Sequence, residues 1–156
     1  MCIRDRWRAD HLSGADGMPR VVKRLLPRLR SVLGDMPLLF TFRSKEEGGQ
    51  RQVSKEEYLA WNREALQTGC VNLIDVELMA GDLIVKTLIQ ESHEQGVHVV
   101  VSNHDFHGTP PEPVLINRLE KMICLGADLP KLAVMPSGPR DVLTLLSATE
   151  EIARRH

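Results

Sequence analysis

The chain has 156 residues, 42% of them apolar, and 20 basic against 21 acidic side chains leave a net charge of -1. That balance suits one globular domain, excludes a disordered or low-complexity chain, and offers no basic run for nucleic acid or an anionic membrane surface. The longest apolar stretches fall far short of the roughly 20 residues that span a bilayer, and three scattered cysteines (Cys2, Cys70, Cys124) without a CxxC pair fit a reducing cytoplasm rather than a disulfide framework or structural zinc.

Taken in chain order, Met1–Arg6 lacks the apolar core of a signal peptide. Trp7–Asp10 reads as the tail of a strand, and a helix is expected from about Pro19 to Leu33, although Pro27 falls inside its pattern. Leu38–Phe42 is an apolar, aromatic run closed by the polar Arg43–Gly49, so a buried strand and a loop are expected there. Ser54, with Glu57 three residues on, forms a capping-box signature for a helix whose stripe is Tyr58, Leu59, Trp61, Ala65 and Leu66, stopped by Gly69. Val71–Leu78 is the next strand, Asp82–Gln95 the next helix with Gly96 as its stop, and Val97–Ser102 a third strand. A helix over Pro110–Leu125, a strand over Lys131–Met135 and a helix over Asp141–Arg155 complete the pattern.

Strand and helix alternating every 25 to 35 residues or so is the signature of right-handed βαβ units and a parallel sheet. Two architectures compete: an open doubly wound sheet, and part of a (β/α)₈ barrel. The absence of GxGxxG and GxxxxGK[ST] weakens the nucleotide-binding form of the first. A whole barrel needs about 250 residues, so this chain accommodates only part of one.

Arg8, Arg43, Glu77, His104 and Lys131 all fall at or near strand ends, and ligands of parallel α/β folds bind at the C-terminal edge of the sheet. Lys131 stands between Pro130 and four apolar residues. Turned inward, it becomes a buried amine with a lowered pKa, nucleophilic toward a carbonyl; turned outward, it snorkels. Ser102–His107 holds two histidines and an aspartate. That supports either a metal site of His104, Asp105 and His107, or a general base or acid, or a polar loop. Asp75 and Glu77 share one strand face, as an acid–base pair or as partners for an inward cation. Arg43, with Glu47 four residues on, suits an anionic substrate, and Gly48–Gly49 behind it would let the loop move.

Together these segments resemble the type I 3-dehydroquinate dehydratases. The likeness is carried by Leu38–Ser44 with Glu47-Gly48-Gly49, by Ile74–Leu78, by Ser102–His107, by Gly126–Pro136 and by Asp141–Leu146, with Trp7–His11 similar to the family's second-strand motif. The resemblance covers residues 7–156. It implies a partial (β/α)₈ TIM barrel, roughly repeats two to six, from a lyase that dehydrates 3-dehydroquinate to 3-dehydroshikimate in the shikimate pathway. It further implies a homodimer when the protein is whole, with no metal and no organic cofactor beyond a covalent imine. Lys131 matches the imine-forming lysine, His104 the proton-transferring histidine and Glu47 the loop glutamate beside it. Arg8 and Arg43 match substrate-binding arginines, and Phe106 a pocket wall. The runner-up reading is a metal-dependent barrel hydrolase or aldolase using His104, Asp105 and His107.

One departure is that Arg6 stands where the family carries a substrate-binding glutamate. Residues 1–6 match nothing in the family and read as a non-native leader. The first barrel strand and the repeats after the sixth, with further substrate-gripping groups, are expected to be missing. Little or no dehydratase activity is therefore expected of the chain by itself.

Overall fold

In the computed structural model, which describes residues 5–12 and 18–156, five strands form one sheet: β1 (Asp5–Arg8), β2 (Leu38–Thr41), β3 (Leu73–Glu77), β4 (His98–Asp105) and β5 (Leu129–Val134). Every neighbouring pair is parallel, and the order across the sheet is the order along the chain. Between them run α1 (Met18–Leu33), α2 (Lys55–Gln67), α3 (Asp82–Glu94) and α4 (Glu112–Leu125), with α5 (Pro139–Arg155) after β5. Each helix packs against the next in sequence, which keeps them on one face of the sheet. A doubly wound sheet reverses its order about a central strand and places helices on both faces; this sheet does neither. It is an arc of a (β/α)₈ barrel. Among the described residues, no helix is long and apolar enough to cross a membrane.

The period-two alternation of side chains explains both faces. Phe40, Ile74, Val76, Val99 and Val101 point toward the helices and join Phe42, Trp61, Leu66, Leu88 and Met122 in the main core. Phe42 meets Trp61 edge-on at a centroid distance of 4.2 Å. The opposite alternation gives a small inner cluster of Leu39, Leu73 and Val100. Strands buried on both faces read as near-continuous apolar runs, as β2 and the Val99–Val101 stretch of β4 do.

Most boundaries match expectation, and Ser54 caps α2 with the full reciprocal box: Glu57 N–H donates to its Oγ at 3.2 Å and Ser54 N–H to the Glu57 carboxylate at 2.9 Å. Strand β3 is shorter than expected at both ends, α4 starts two residues late and α5 two early; three other elements differ in kind. Helix α1 passes through Pro27 unbroken, on a part of its face where both Pro27 and Lys23, one turn before it, are exposed. Strand β4 runs three residues past its apolar stretch, so Asn103, His104 and Asp105 belong to the strand and not to a following loop. Strand β5 starts two residues early and ends one early. It includes Pro130, whose missing N–H is tolerated on a strand that is paired on one side only. Of the expected leader, residues 1–4 lie outside the described residues, whereas Asp5 and Arg6 begin β1 and pair with Leu38 and Leu39.

Candidate active site

The parallel register sets Asp75, Ser102 and Lys131 on the inner sheet face near its C-terminal edge, with Glu77 paired to Ser102 and Ser102 paired to Lys131. Lys131 is therefore not at the start of its strand, as the apolar pattern implied, but central in it. Its Nζ lies 2.7 Å from His104 Nε2. The other imidazole nitrogen, Nδ1, lies 2.9 Å from Glu47 Oε2, and the His104 side chain is only 14% exposed. Phe106 stacks beside His104, the rings 15° from parallel with centroids 6.4 Å apart.

Burial pushes the Lys131 ammonium below the ordinary lysine value. The Arg43 and Arg6 cations push in the same direction, against the opposing pull of Asp75 and Glu47.

Arg43 sits beneath these groups, almost wholly buried. Its Nη1 donates to Glu47 at 3.2 Å, to Glu77 at 3.1 Å and to Ser102 Oγ at 2.9 Å, while Nη2 donates to Asp75 at 2.6 Å. Burial works against its charge, but Asp75 and Glu77 outweigh that and raise its pKa. Glu77 is held above the usual carboxylate range by burial, in spite of its bonds to Ser44 and the Arg43 charge. Of the two alternatives open for Asp75 and Glu77, the structure takes the second: both serve as partners of an inward cation.

The loop between β2 and α2 delivers Glu47. A short turn of 3₁₀-helix over Lys45–Glu47 is closed by Gly48 at φ 83°. Gly49 follows with its Cα against the chain: an added Cβ would lie 1.9 Å from the Arg43 carbonyl oxygen. At Gly48 the same atom would meet the Phe106 ring at 2.6 Å. The glycine pair thus serves close packing, where mobility was expected.

Arg8 binds Asp10 through two hydrogen bonds of 2.6 Å each. Arg6, read as foreign sequence, reaches the same cluster: its Nε donates to Thr41 Oγ1 and its Nη2 to Asp75, both at 3.0 Å. Asn103 donates to Glu47 Oε1 at 3.0 Å, and Ser102 donates to Asp75. The sequence motifs give neither residue a role of its own. For Ser102 the signal was available, since it stands two residues before His104 on one strand face. Asn103 faces the other way, and nothing in its spacing reveals it. A cleft of about 520 Å³ adjoins Glu47, Asn103, His104 and Phe106 and is bounded by Tyr58, Lys55 and Arg118; Lys131 does not line it.

The metal reading of His104, Asp105 and His107 does not survive this geometry. Both His104 nitrogens face protein groups. Asp105 accepts from Arg118 at 3.1 Å and from the His107 amide at 3.2 Å. Among the described residues, no three His, Cys, Asp or Glu side chains are grouped to hold an ion.

Residues 6–156 match the family described as type I 3-dehydroquinase. The chain is 50% identical over 143 residues to a 3-dehydroquinate dehydratase of Klebsiella pneumoniae, spanning 92% of this chain and 57% of that protein. The crystal structure of a type I 3-dehydroquinate dehydratase from Clostridium difficile, carrying covalently modified comenic acid, superposes with a TM-score of 0.90 at 46% identity, over 94% of this chain and 58% of that one. A 3-dehydroquinate dehydratase from Enterococcus faecalis gives 0.88 at 40% identity, over 96% and 62%. The chain therefore spans less than two thirds of the length of these relatives.

Proposed function

We propose that this chain, which belongs to the type I 3-dehydroquinase family, carries the reacting groups of a hydro-lyase that dehydrates 3-dehydroquinate to 3-dehydroshikimate through an imine on Lys131. The observation that carries the reading is the 2.7 Å approach of Lys131 Nζ to His104 Nε2, with Glu47 on the far side of the same imidazole.

The chemistry follows from those three side chains. A lysine with a lowered pKa holds more of its population as free amine near neutrality, and the amine is the nucleophile. Its attack on the substrate ketone forms a C–N bond, and loss of the carbonyl oxygen as water leaves an iminium. That electron sink acidifies the neighbouring C–H. His104 takes the proton on Nε2, the C–H electrons form the new C=C bond, and the β-hydroxyl leaves as water when His104 hands the proton on. Hydrolysis of the iminium releases the enone product and restores the amine, so the net change is loss of one water. Glu47 holds the Nδ1 proton and stabilises the imidazolium.

The resemblance assigns Arg8 and Arg43 to substrate binding and Phe106 to the pocket wall; Arg8 is paired with Asp10, and Arg43 is buried against Glu47, Asp75 and Glu77, so Arg43 acts on the substrate side by holding those carboxylates in place. The imine itself provides the electron sink, so the reaction draws on neither a metal nor an organic cofactor. The whole protein works in the cytoplasm as a homodimer, within aromatic amino acid biosynthesis.

The test is borohydride trapping with 3-dehydroquinate, followed by peptide mass mapping. The reduced adduct is expected on the Lys131 peptide. Because only the free amine reacts, the trapping rate rises with pH through the folded pKa of Lys131 and levels off below the ordinary lysine value of 10.5. An adduct on another residue, or none, overturns the proposal.

A further inference from the structure

We propose that Arg118 is a positioning residue that sets the proton on His104 through Asn103 and Glu47; the inference rests on the dehydratase reading of this site. Arg118 projects from α4 over β4. Its Nη1 donates to Asn103 Oδ1 at 2.9 Å and to Asp105 Oδ2 at 3.1 Å. Asn103 then donates from Nδ2 to Glu47 Oε1 at 3.0 Å, and the other carboxylate oxygen, Oε2, meets His104 Nδ1 at 2.9 Å.

The direction of every bond in this chain is set from its outer end. A guanidinium has donors and no acceptor, so the Asn103 amide must turn its oxygen to Arg118. Its NH₂ is then aimed at Glu47, which as a carboxylate only accepts. Glu47 Oε2 in turn requires a proton on His104 Nδ1. The remaining ring nitrogen, Nε2, is left with its lone pair toward Lys131, which is the form that accepts a proton from substrate. Arg43 also touches Glu47, but on Oε2, the oxygen that His104 uses. Asn103 is what engages Oε1 and so fixes the rotation of the carboxylate. Without Arg118 the amide is free to flip, placing its oxygen against Glu47 and expelling the carboxylate from its place beside the ring.

The polar reach of Arg118 is matched by its effect on Asp105. Burial raises that carboxyl, yet the bonds from Arg118 and the His107 amide hold it below the usual carboxylate range. Asp105 is thus a second partner of Arg118 that leads nowhere near Lys131, and it separates the positioning role from a merely structural one.

The chain labelled with ¹⁵N-histidine reports the His104 tautomer directly from its two ring-nitrogen shifts at neutral pH. The wild type is expected to hold the proton mainly on Nδ1. Arg118→Met and Asn103→Leu are each expected to move it toward Nε2 and to slow borohydride trapping with 3-dehydroquinate by about tenfold, the low end for losing an outer partner of a working histidine. Arg118→Lys, which retains a donor and no acceptor, recovers part of both. Asp105→Asn, which weakens the other contact of Arg118 and the bond from the His107 amide but leaves Asn103 and Glu47 in place, keeps the tautomer as in the wild type. An Nε2-protonated wild type overturns the inference, as does a folded Arg118→Met chain with an unchanged tautomer, or an Asp105→Asn chain that shifts as far as Arg118→Met. If Arg118→Met does not fold, Asn103→Leu decides on the same criterion. A wild type that forms no imine with 3-dehydroquinate sinks the dehydratase reading instead, while the tautomers still judge Arg118.

Discussion

Arg43 gathers Glu47, Asp75 and Glu77, which would otherwise repel one another in a space with almost no solvent. Removing one member of such a cluster costs more than forming it gained, because the remaining charges stay buried without a partner. Arg43→Met is expected to lower stability by about 3–5 kcal/mol, read as a lower urea midpoint with an unchanged slope. Adding Asp75→Asn and Glu77→Gln should recover a substantial part, since both changes remove stranded charge. Recovery by neither would mean that the guanidinium acts through its shape and not its charge. At this scale Lys131 and His104 were legible in the sequence because Lys131 opens an apolar run and His104 follows one. Glu47 was legible beside Arg43, and Asp75 and Glu77 as partners for an inward cation, but not that one guanidinium takes all three. Asp75 and Glu77 lie more than thirty positions away and meet it only through the register of β2 with β3. Arg6 is a related case: an arginine at a position where the resemblance calls for a glutamate reads as foreign, and β1 aims it at Asp75 all the same.

The loop from Arg43 to Arg51 is the element on which the site most depends, because it alone carries Glu47. Gly49 N–H donates to the Ser44 carbonyl at 2.7 Å, and Lys45 N–H to the Arg51 carbonyl at 2.8 Å, so the loop folds back on its own backbone. A methyl group at residue 49 would meet main chain that has no room to yield. Gly49→Ala is therefore expected to displace Glu47, lower the melting temperature and abolish imine trapping. Gly108→Ala is the matched control: nothing lies within 4 Å of its added Cβ, and its backbone φ is not positive. Equal behaviour of the two variants would show that the loop tolerates a shift without losing the site. Elements with a local chemical signature were readable in advance, as the Ser54 cap shows. Strand ends set by pairing were not: β4 continues through Asn103-His104-Asp105 because β5 hydrogen-bonds alongside it, and no residue in that stretch has a strand-like pattern.

At the scale of the whole molecule, sequential order follows from the βαβ spacing, since a right-handed crossover onto the adjacent strand repeats the same step each time. What spacing does not convey is how the two ends are covered. Among the described residues, β1 and β5 each have one paired side, and Leu129, Met135, Val142, Leu143 and Leu146 are exposed on or around β5 and α5. Unpaired strand edges beside apolar surface recruit other chains, and a barrel removes that hazard only by closing. Residues 7–156 expressed alone are accordingly expected to self-associate in sedimentation, growing with concentration. On the dehydratase reading proposed above, catalysis is expected to suffer separately: Lys131 stands on a strand paired on one side only among the described residues, and a reacting pair displaced by about 1 Å loses on the order of a hundredfold in rate. The 2.7 Å contact between Lys131 and His104 still permits imine formation. Trapping should therefore persist while the appearance of 3-dehydroshikimate absorbance runs at roughly a hundredth or less of the rate of a full-length relative. Turnover equal to that of the Klebsiella enzyme, from a monodisperse monomer, would show that the arc of five strands holds its own edges and that a closed ring is not needed to keep Lys131 in place.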